Sequence, residues 1–410
     1  MWKMWRCWRK KLPSKNTDVF FSYLCKKYLN LKIVVNTRLL LKNRLEGIGW
    51  FSYETLKRIT RNHPEHQFVF VFDRAFDDEF IFSDNVTPVV LSPPTRHPVL
   101  QYIWLEISMV RVLKKHKPDL FLSPDGFLSL RTKTPSVAVI HDLNFEHYPQ
   151  DITWVERQFY RRYFPLYARK AKRIATVSHY SKQDLVKCYG VENEKIDVTC
   201  NGVNEFYLPL TREEVVAVRE KLTGGIPYYI YIGALRPRKN LKTLFVAFDA
   251  YRDEYPEAQE KLVIVGNQRW HGEEMKKTYE AMKHRDQVIF TGSLTPDQLR
   301  TTLGAALALT YVSYFEGFGI PIVEAFQAGV PVITSDITSM PEVAGDAAML
   351  IDPFCPKSIT QAMRQIATNE TLRKTLIEKG HQRQQCYTWD KAAELLWECV
   401  EKATGGELRP

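Results

Sequence analysis

S-Y-F-E-G-F-G-I-P-I-V-E-A-F-Q-A-G-V-P-V-I-T-S, residues 313–335, is the stretch on which the reading of this chain turns. Just before it, residues 306–310 form a short apolar run of the kind a buried strand needs. Glu316-Gly317-Phe318-Gly319 reads as a loop whose two glycines let the backbone approach something closely. Pro321 suits the first position of a helix, where its missing N–H costs nothing. The predicted helix carries Glu324 in its first turn and ends near Gly329, and residues 330–334 read as the next strand. A helix that starts straight after a glycine loop offers unpaired N–H groups, and the positive end of its dipole, to an anion. Two readings of the glutamates stand: Glu324 caps the helix and Glu316 is a solvated loop residue, or both grip a ligand.

The whole string E-G-F-G-I-P-I-V-E, with seven residues between its glutamates, resembles the signature of retaining glycosyltransferases of family 4, which have the GT-B fold. The similarity continues through A-x-x-A-G-V-P-V-I-T-S, then Met340-Pro341-Glu342-Val343, Gly345-Asp346-Ala347-Ala348 and Leu350-Ile351-Asp352-Pro353. It covers roughly residues 31–405. The resemblance implies an α/β chain with two Rossmann-like domains facing across a cleft. A nucleotide-diphosphate sugar would be held mainly by the second domain and an acceptor hydroxyl presented from the first.

Length and composition agree. The chain has 410 residues, 45% apolar and 25% charged, which suits two domains with substantial cores. The net charge of +10 favours anionic partners such as phosphorylated substrates or an acidic membrane surface. It is too diffuse for nucleic acid, and no nucleic-acid-binding module is visible. The seven cysteines are scattered, without C-x-x-C or zinc-ligand spacing, as expected of reduced thiols in a cytoplasmic protein. No apolar run approaches the roughly 20 residues of a membrane span.

Residues 1–30 stand apart. Positions 1–27 hold eight Lys/Arg against one acid, with Trp2, Trp5 and Trp8 interleaved and no continuous apolar core of a signal peptide. Two readings remain: a segment lying on the inner face of an anionic membrane, or a disordered basic leader. The first domain is expected over 31–204. Residues 31–35 read as a strand, Gly47-Ile48-Gly49-Trp50 as a glycine turn, and 51–61 as a helix, the opening of a doubly wound unit. Further strands are predicted at 68–72, 88–91, 120–123, 136–141 and 173–178. Helices are predicted at 100–115, 155–171 and 182–189. This alternation suits a parallel sheet covered on both faces. Strand 136–141 ends in His141-Asp142, where such sheets line their ligand crevice. His141 is either a packed strand-end histidine bonded to a carbonyl or a donor-sugar contact. H-D-L-x-x-x-x-x-P, ending at Pro149, resembles the family and favours the latter. Ser178 suits a helix cap.

The second domain is expected over 205–385, opening with strand 228–232 and the loop Gly233-Ala234-Leu235-Arg236-Pro237-Arg238-Lys239-Asn240. Cations on a strand-to-helix loop suit a diphosphate. Family members use this loop's Arg and Lys to hold the leaving group, which points to Lys239 and Arg238, then Arg236. Many of them carry Arg directly after the glycine, where this chain has Ala234. Strands at 261–266 and 287–292, a helical stretch over 356–384, and a last helix in 386–410 that crosses back to the first domain complete the expectation.

By resemblance, Glu316 supports the donor sugar and Glu324 the ribose hydroxyls. Gly47, Gly49, Gly317, Phe318, Gly319 and Ile320 line the donor, and Glu316, His141, Lys239 and Arg238 form the reacting centre. No cofactor and no metal are expected, since cations and a helix end neutralise the leaving phosphate. The similarity is closest to mannosyltransferase-type members, so GDP-mannose is the first expectation for the donor. A glycan or lipid-linked saccharide is expected as acceptor. A nucleotide-sugar epimerase of the same fold and a non-catalytic nucleotide-sugar-binding protein are the alternatives.

Overall fold

The computed structural model describes residues 30–267, 270 and 273–405. The basic Trp-containing stretch before residue 30 lies outside the described residues, and so does its membrane-contact reading. No described helix is long and apolar enough to cross a membrane.

Two all-parallel sheets organise the chain. The first contains β1 (Lys32–Asn36), β2 (Gln67–Phe72), β3 (Val86–Val90), β4 (Leu120–Ser123), β5 (Ser136–Val139), β6 (Arg173–Thr176) and β7 (Ile196–Val198) in the order β3-β2-β1-β4-β5-β6-β7. The second contains β8 (Tyr228–Ile232), β9 (Lys261–Val265), β10 (Val288–Gly292), β11 (Ala308–Tyr311), β12 (Val332–Ser335) and β13 (Met349–Ile351) in the order β10-β9-β8-β11-β12-β13. Both orders reverse direction after a central first strand, which opens a crevice at the carboxyl ends of the strands there. This is the doubly wound α/β architecture expected from the sequence.

The central strands are continuous apolar runs because helices cover both faces. Ile33, Val34 and Val35 of β1 are fully buried, as are Tyr228 to Tyr231 of β8. The β8 tyrosines keep their hydroxyls satisfied on backbone carbonyls: Tyr228 on Thr302 at 2.6 Å, Tyr229 on Met363 at 2.6 Å, and Tyr231 on Ala234 at 2.9 Å.

Several local expectations change. Gly47 and Gly49 do not form a turn before a helix. They are in the first turn of the helix Gly47–Asn62, with Glu46 extended at its N-cap. The predicted helix 100–115 is a helical run in three parts, Pro98–Ile103, a π-turn at Trp104–Ser108, and Met109–His116. The π-turn carries the buried Glu106, whose carboxylate accepts the Leu130 and Arg131 N–H groups at 2.8 and 3.1 Å. The helical stretch expected over 356–384 consists of two helices, Pro356–Thr368 and Glu370–Gln384, because Asn369 caps the second by accepting Leu372 N–H at 2.9 Å.

The last helix, Trp389–Ala403, crosses back and packs on Gly47–Asn62 and on β4 to β7. The chain therefore passes between the halves twice, and the two passages touch. Val203 bridges Thr388, and Val203 N–H donates to Tyr387 O at 3.1 Å. Gly202 lies flush against Trp389, where a Cβ would strike the tryptophan backbone.

Candidate active site

Two loops at the carboxyl ends of β8 and β11 carry the expected residues, and buried side chains stitch them together. Asn240, in the left-handed region at φ 60°, donates through Nδ2 to Val312 O at 3.0 Å and Pro353 O at 2.7 Å. Tyr314 N–H donates to Arg238 O at 2.9 Å. Ser339 Oγ donates to the carbonyls of Glu316 and Phe318 at 2.9 and 3.1 Å. Gly319, at φ 102°, turns the chain into the helix Ile320–Gln327.

Glu316 is not a solvated loop residue. It is 6% exposed and sits between the two cations of the other loop. Arg238 Nη1 donates to its Oε2 at 2.8 Å and to Phe315 O at 3.0 Å. Lys239 Nζ lies 2.6 Å from its Oε1 and donates to Tyr311 Oη, also at 2.6 Å. Burial alone would raise the Glu316 carboxyl, but Arg238 and Lys239 overcome it and hold the group at about 2. Lys239 is pulled down to about 8, first by burial and then by Arg238 beside it, against the pull of Glu316. Arg238 is raised: the charges of Glu316 and Asp142 outweigh its burial. The cluster is a preformed, charged cradle.

The first half supplies the opposite wall. His141 Nε2 lies 2.8 Å from Pro124 O, and the ring packs edge-on against Phe51 with centroids 5.0 Å apart. A carbonyl only accepts, so Nε2 carries the proton and Nδ1 is left as an acceptor. Burial lowers the ring's pKa and keeps it neutral. The strand-end carbonyl bond weighed in the sequence is thus present, and it fixes which nitrogen a ligand would meet. Gly317 presses against this wall, where any Cβ would strike the His141 carbonyl oxygen and come within 2.9 Å of Asp142 Cβ. Ser181 Oγ donates to His141 O at 3.1 Å.

Glu324 differs from expectation. It is the fifth residue of Ile320–Gln327, beyond the first turn, and half-buried rather than a cap. Burial raises its carboxyl to about 7, and a hydrogen bond with the Tyr207 hydroxyl offsets this only in part. Phe318 is buried and Ile320 half-buried. Arg236 is exposed and outside the ion-pair cluster. Gly47 has open space around it, and Gly49 packs on Leu39 and Leu45. A cavity of about 520 Å³ on the side of the crossover helix is lined by His179, Glu342, Arg383 and Tyr387, and of residues 316–324 Phe318 alone reaches it.

Several contributors were missed in the sequence because they pair across long separations. Arg38 Nε donates to Asp125 Oδ2 at 2.5 Å, and Asn36 Nδ2 donates to Asp125 Oδ1 at 2.9 Å, at the carboxyl ends of β1 and β4. Tyr314 Oη donates to Asp151 at 2.9 Å across the halves. Glu342 accepts the N–H groups of His179 and Tyr180 at 2.8 and 3.0 Å, capping a first-half helix from the second half. The motif M-P-E-V marked Glu342 without indicating its partner.

The family described as "Glycosyl transferases group 1" matches residues 217–383, and "Glycosyltransferase Family 4" matches residues 46–205. The chain is 26% identical over 380 residues to the O-antigen chain mannosyltransferase B of Escherichia coli, covering 88% of this chain and 97% of that protein. It is 28% identical over 271 residues to the O-antigen chain mannosyltransferase RfbU of Salmonella typhimurium, covering 66% and 71%. The fold matches sucrose-phosphate synthase from Thermosynechococcus elongatus with a TM-score of 0.74 at 17% identity, over 92% of this chain and 100% of that one. It also matches WaaG, a glycosyltransferase involved in lipopolysaccharide biosynthesis, with a TM-score of 0.69 at 17% identity, over 91% and 100%. Two facing doubly wound sheets, the glutamate loop with its paired cations, and these matches over both halves lead to one conclusion: the chain is a glycosyltransferase with the GT-B fold and belongs to the group 1, family 4 glycosyltransferases.

Proposed function

We propose that the protein transfers a hexose, mannose from GDP-mannose in the first instance, to a glycan or lipid-linked acceptor with retention of configuration and without a metal. The observation that carries this is the Arg238–Glu316–Lys239 cluster, a buried carboxylate between two half-buried cations, on the loop whose Gly317 meets the His141 backbone. As the sugar–oxygen bond breaks, negative charge grows on the leaving diphosphate. Two cations already desolvated and oriented at that place lower the barrier without reorganising. Their charge takes the part a divalent ion would otherwise play.

Glu316 is the placeholder in this scheme. An arriving diphosphate competes with it for Arg238 and Lys239, and its released oxygens can accept from the donor sugar. Neutral His141 accepts a sugar hydroxyl at Nδ1. Glu324, ionised, accepts the ribose hydroxyls. Reaction on one face, with the departing phosphate oxygen taking the acceptor's proton, needs no nucleophile; two glutamates do not imply the paired-carboxylate hydrolysis of glycosidases. The O-antigen relatives support mannose and a surface-polysaccharide acceptor.

The test is nucleotide release from a panel of nucleotide sugars, with and without lipid-linked acceptors, in chelator. GDP-mannose consumption and an α-linked product by NMR are the expected result. Isomerised donor without acceptor points to an epimerase, and binding without turnover to a non-catalytic protein; either overturns the proposal.

A further inference from the structure

The structure places a second cluster of potential ligands beside the cleft, outside the cradle. The short helix Asn144–His147 follows β5 and carries His147. The helix His179–Tyr189 carries Asp184 and Cys188, four residues apart and therefore on one face. His147 Nε2 is 2.8 and 2.9 Å from the two Asp184 oxygens. Cys188 Sγ is 3.4 Å from Asp184 Oδ1 and 4.0 Å from His147 Nε2. A nitrogen, an oxygen and a sulfur donor thus lie within 4.8 Å of one another.

We propose that His147, Asp184 and Cys188 form a binding site for a zinc-class divalent cation that braces the cleft wall. With Zn–N and Zn–O near 2.0 Å and Zn–S near 2.3 Å, the edges of a tetrahedral site are about 3.3–3.5 Å. The observed separations bracket those edges, so side-chain shifts of about 0.5 Å complete the geometry. The mixed nitrogen, oxygen and sulfur set suits zinc and not magnesium or calcium, which take oxygen ligands. Asp184 is 5% exposed and fixed, while His147 and Cys188 reach solvent and leave a route for the ion and a position for water.

Binding displaces the Cys188 thiol proton to solvent and leaves a sulfur–metal bond. The imidazole binds as the neutral form through Nε2, with its proton on Nδ1. The carboxylate exchanges its hydrogen bonds from His147 and Cys188 for the cation. No electron is transferred. The ion would tie the 144–147 turn to the helix His179–Tyr189. The His147 ring stacks on Phe315, with centroids 5.1 Å apart at 30°, directly before Glu316. The brace therefore bears on the wall that meets the motif, and it takes no part in the transfer chemistry.

The other cluster of this kind among the described residues, His63, Glu65 and His66, is already engaged. His66 Nδ1 accepts Leu31 N–H at 3.3 Å, and both rings stack on Trp397.

The experiment titrates the chelator-stripped full chain with Co2+ and Zn2+. One equivalent of Co2+ should give the visible bands of a tetrahedral site and a thiolate-to-metal charge-transfer band, and Zn2+ should displace it. Cys188→Ser should lose the thiolate band, and His147→Gln should bind at least about tenfold more weakly. Zinc should raise the melting temperature of the native chain and not of Cys188→Ser. Absence of stoichiometric binding, or titrations unchanged in both variants, would overturn the site. These readouts are independent of sugar transfer.

Discussion

Gly317, in the second half, lies so close to His141, in the first, that no side chain fits between them. Both ends of the proposed reacting centre are therefore set by one backbone contact. Gly317→Ala should hold the halves apart by the width of a methyl group. A misplacement of about 1 Å costs on the order of 10²-fold in rate. Turnover should fall by about that factor while the melting temperature changes little, since each core is untouched. Unchanged kcat would show that the contact is not needed for reaction.

Glu316→Gln leaves the half-buried Arg238 and Lys239 with only a neutral partner. Breaking a buried ion pair from one side costs about 3–5 kcal/mol, and the amide should cost somewhat less because it still accepts a hydrogen bond. A nucleoside diphosphate should restore more stability to this variant than it adds to the native chain. Calorimetry with and without the nucleotide checks the difference; equal increments would contradict a shared cradle.

Lys239 sets an alkaline limit. Its folded-state value of about 8 lies below its usual 10.5, so the free protein loses this charge as pH rises through about 8. The fall should appear in kcat/KM, which reports the free protein, and more weakly in kcat, because bound phosphate holds the proton on. Lys239→Ala should lose about 10²–10³-fold in kcat and lack this limb. A steady-state pH profile decides.

Glu324 places affinity against stability. Its carboxyl is raised from 4.5 to about 7, so the folded state binds the extra proton between these values. The stability this contributes is fully present below about 4.5 and is lost as pH rises through about 7. Donor binding should run the opposite way, weakening below pH 7 as the carboxylate is protonated. Glu324→Gln should be more stable than the native chain at pH 8, by at most about 3 kcal/mol, and bind the donor poorly. Melting curves at pH 5 and 8 beside donor titrations would expose any other pattern.

The legible parts of this chain are those in which local chemistry and tertiary structure agree. β8 is marked to the residue because Tyr228–Ile232 is an apolar run bounded by Pro227 and Gly233. The cations and glutamates were legible as residue types in a resembling pattern. Their pairing was not, since Arg238 and Glu316 meet across 78 positions. Gly47 and Gly49 misled because glycine is a turn residue by conformational freedom, whereas here the helix begins at Gly47 itself. Glu324 was misplaced by less than a turn, the usual error at a helix start. The Arg38–Asp125 pair and the His147–Asp184–Cys188 cluster leave no spacing to read, because topology and not sequence brings them together.

The paired passages at Gly202–Val203 and Tyr387–Trp389 have a mechanical consequence. A single connecting strand would let one half swivel freely about the other. Two strands fastened side by side act as an axle, which admits rotation about one line and resists twist. Trp389, wedged against Gly202 where nothing larger fits, is the bearing surface. Gly317 and His141 are thus held opposite each other by a double tether instead of a single loop.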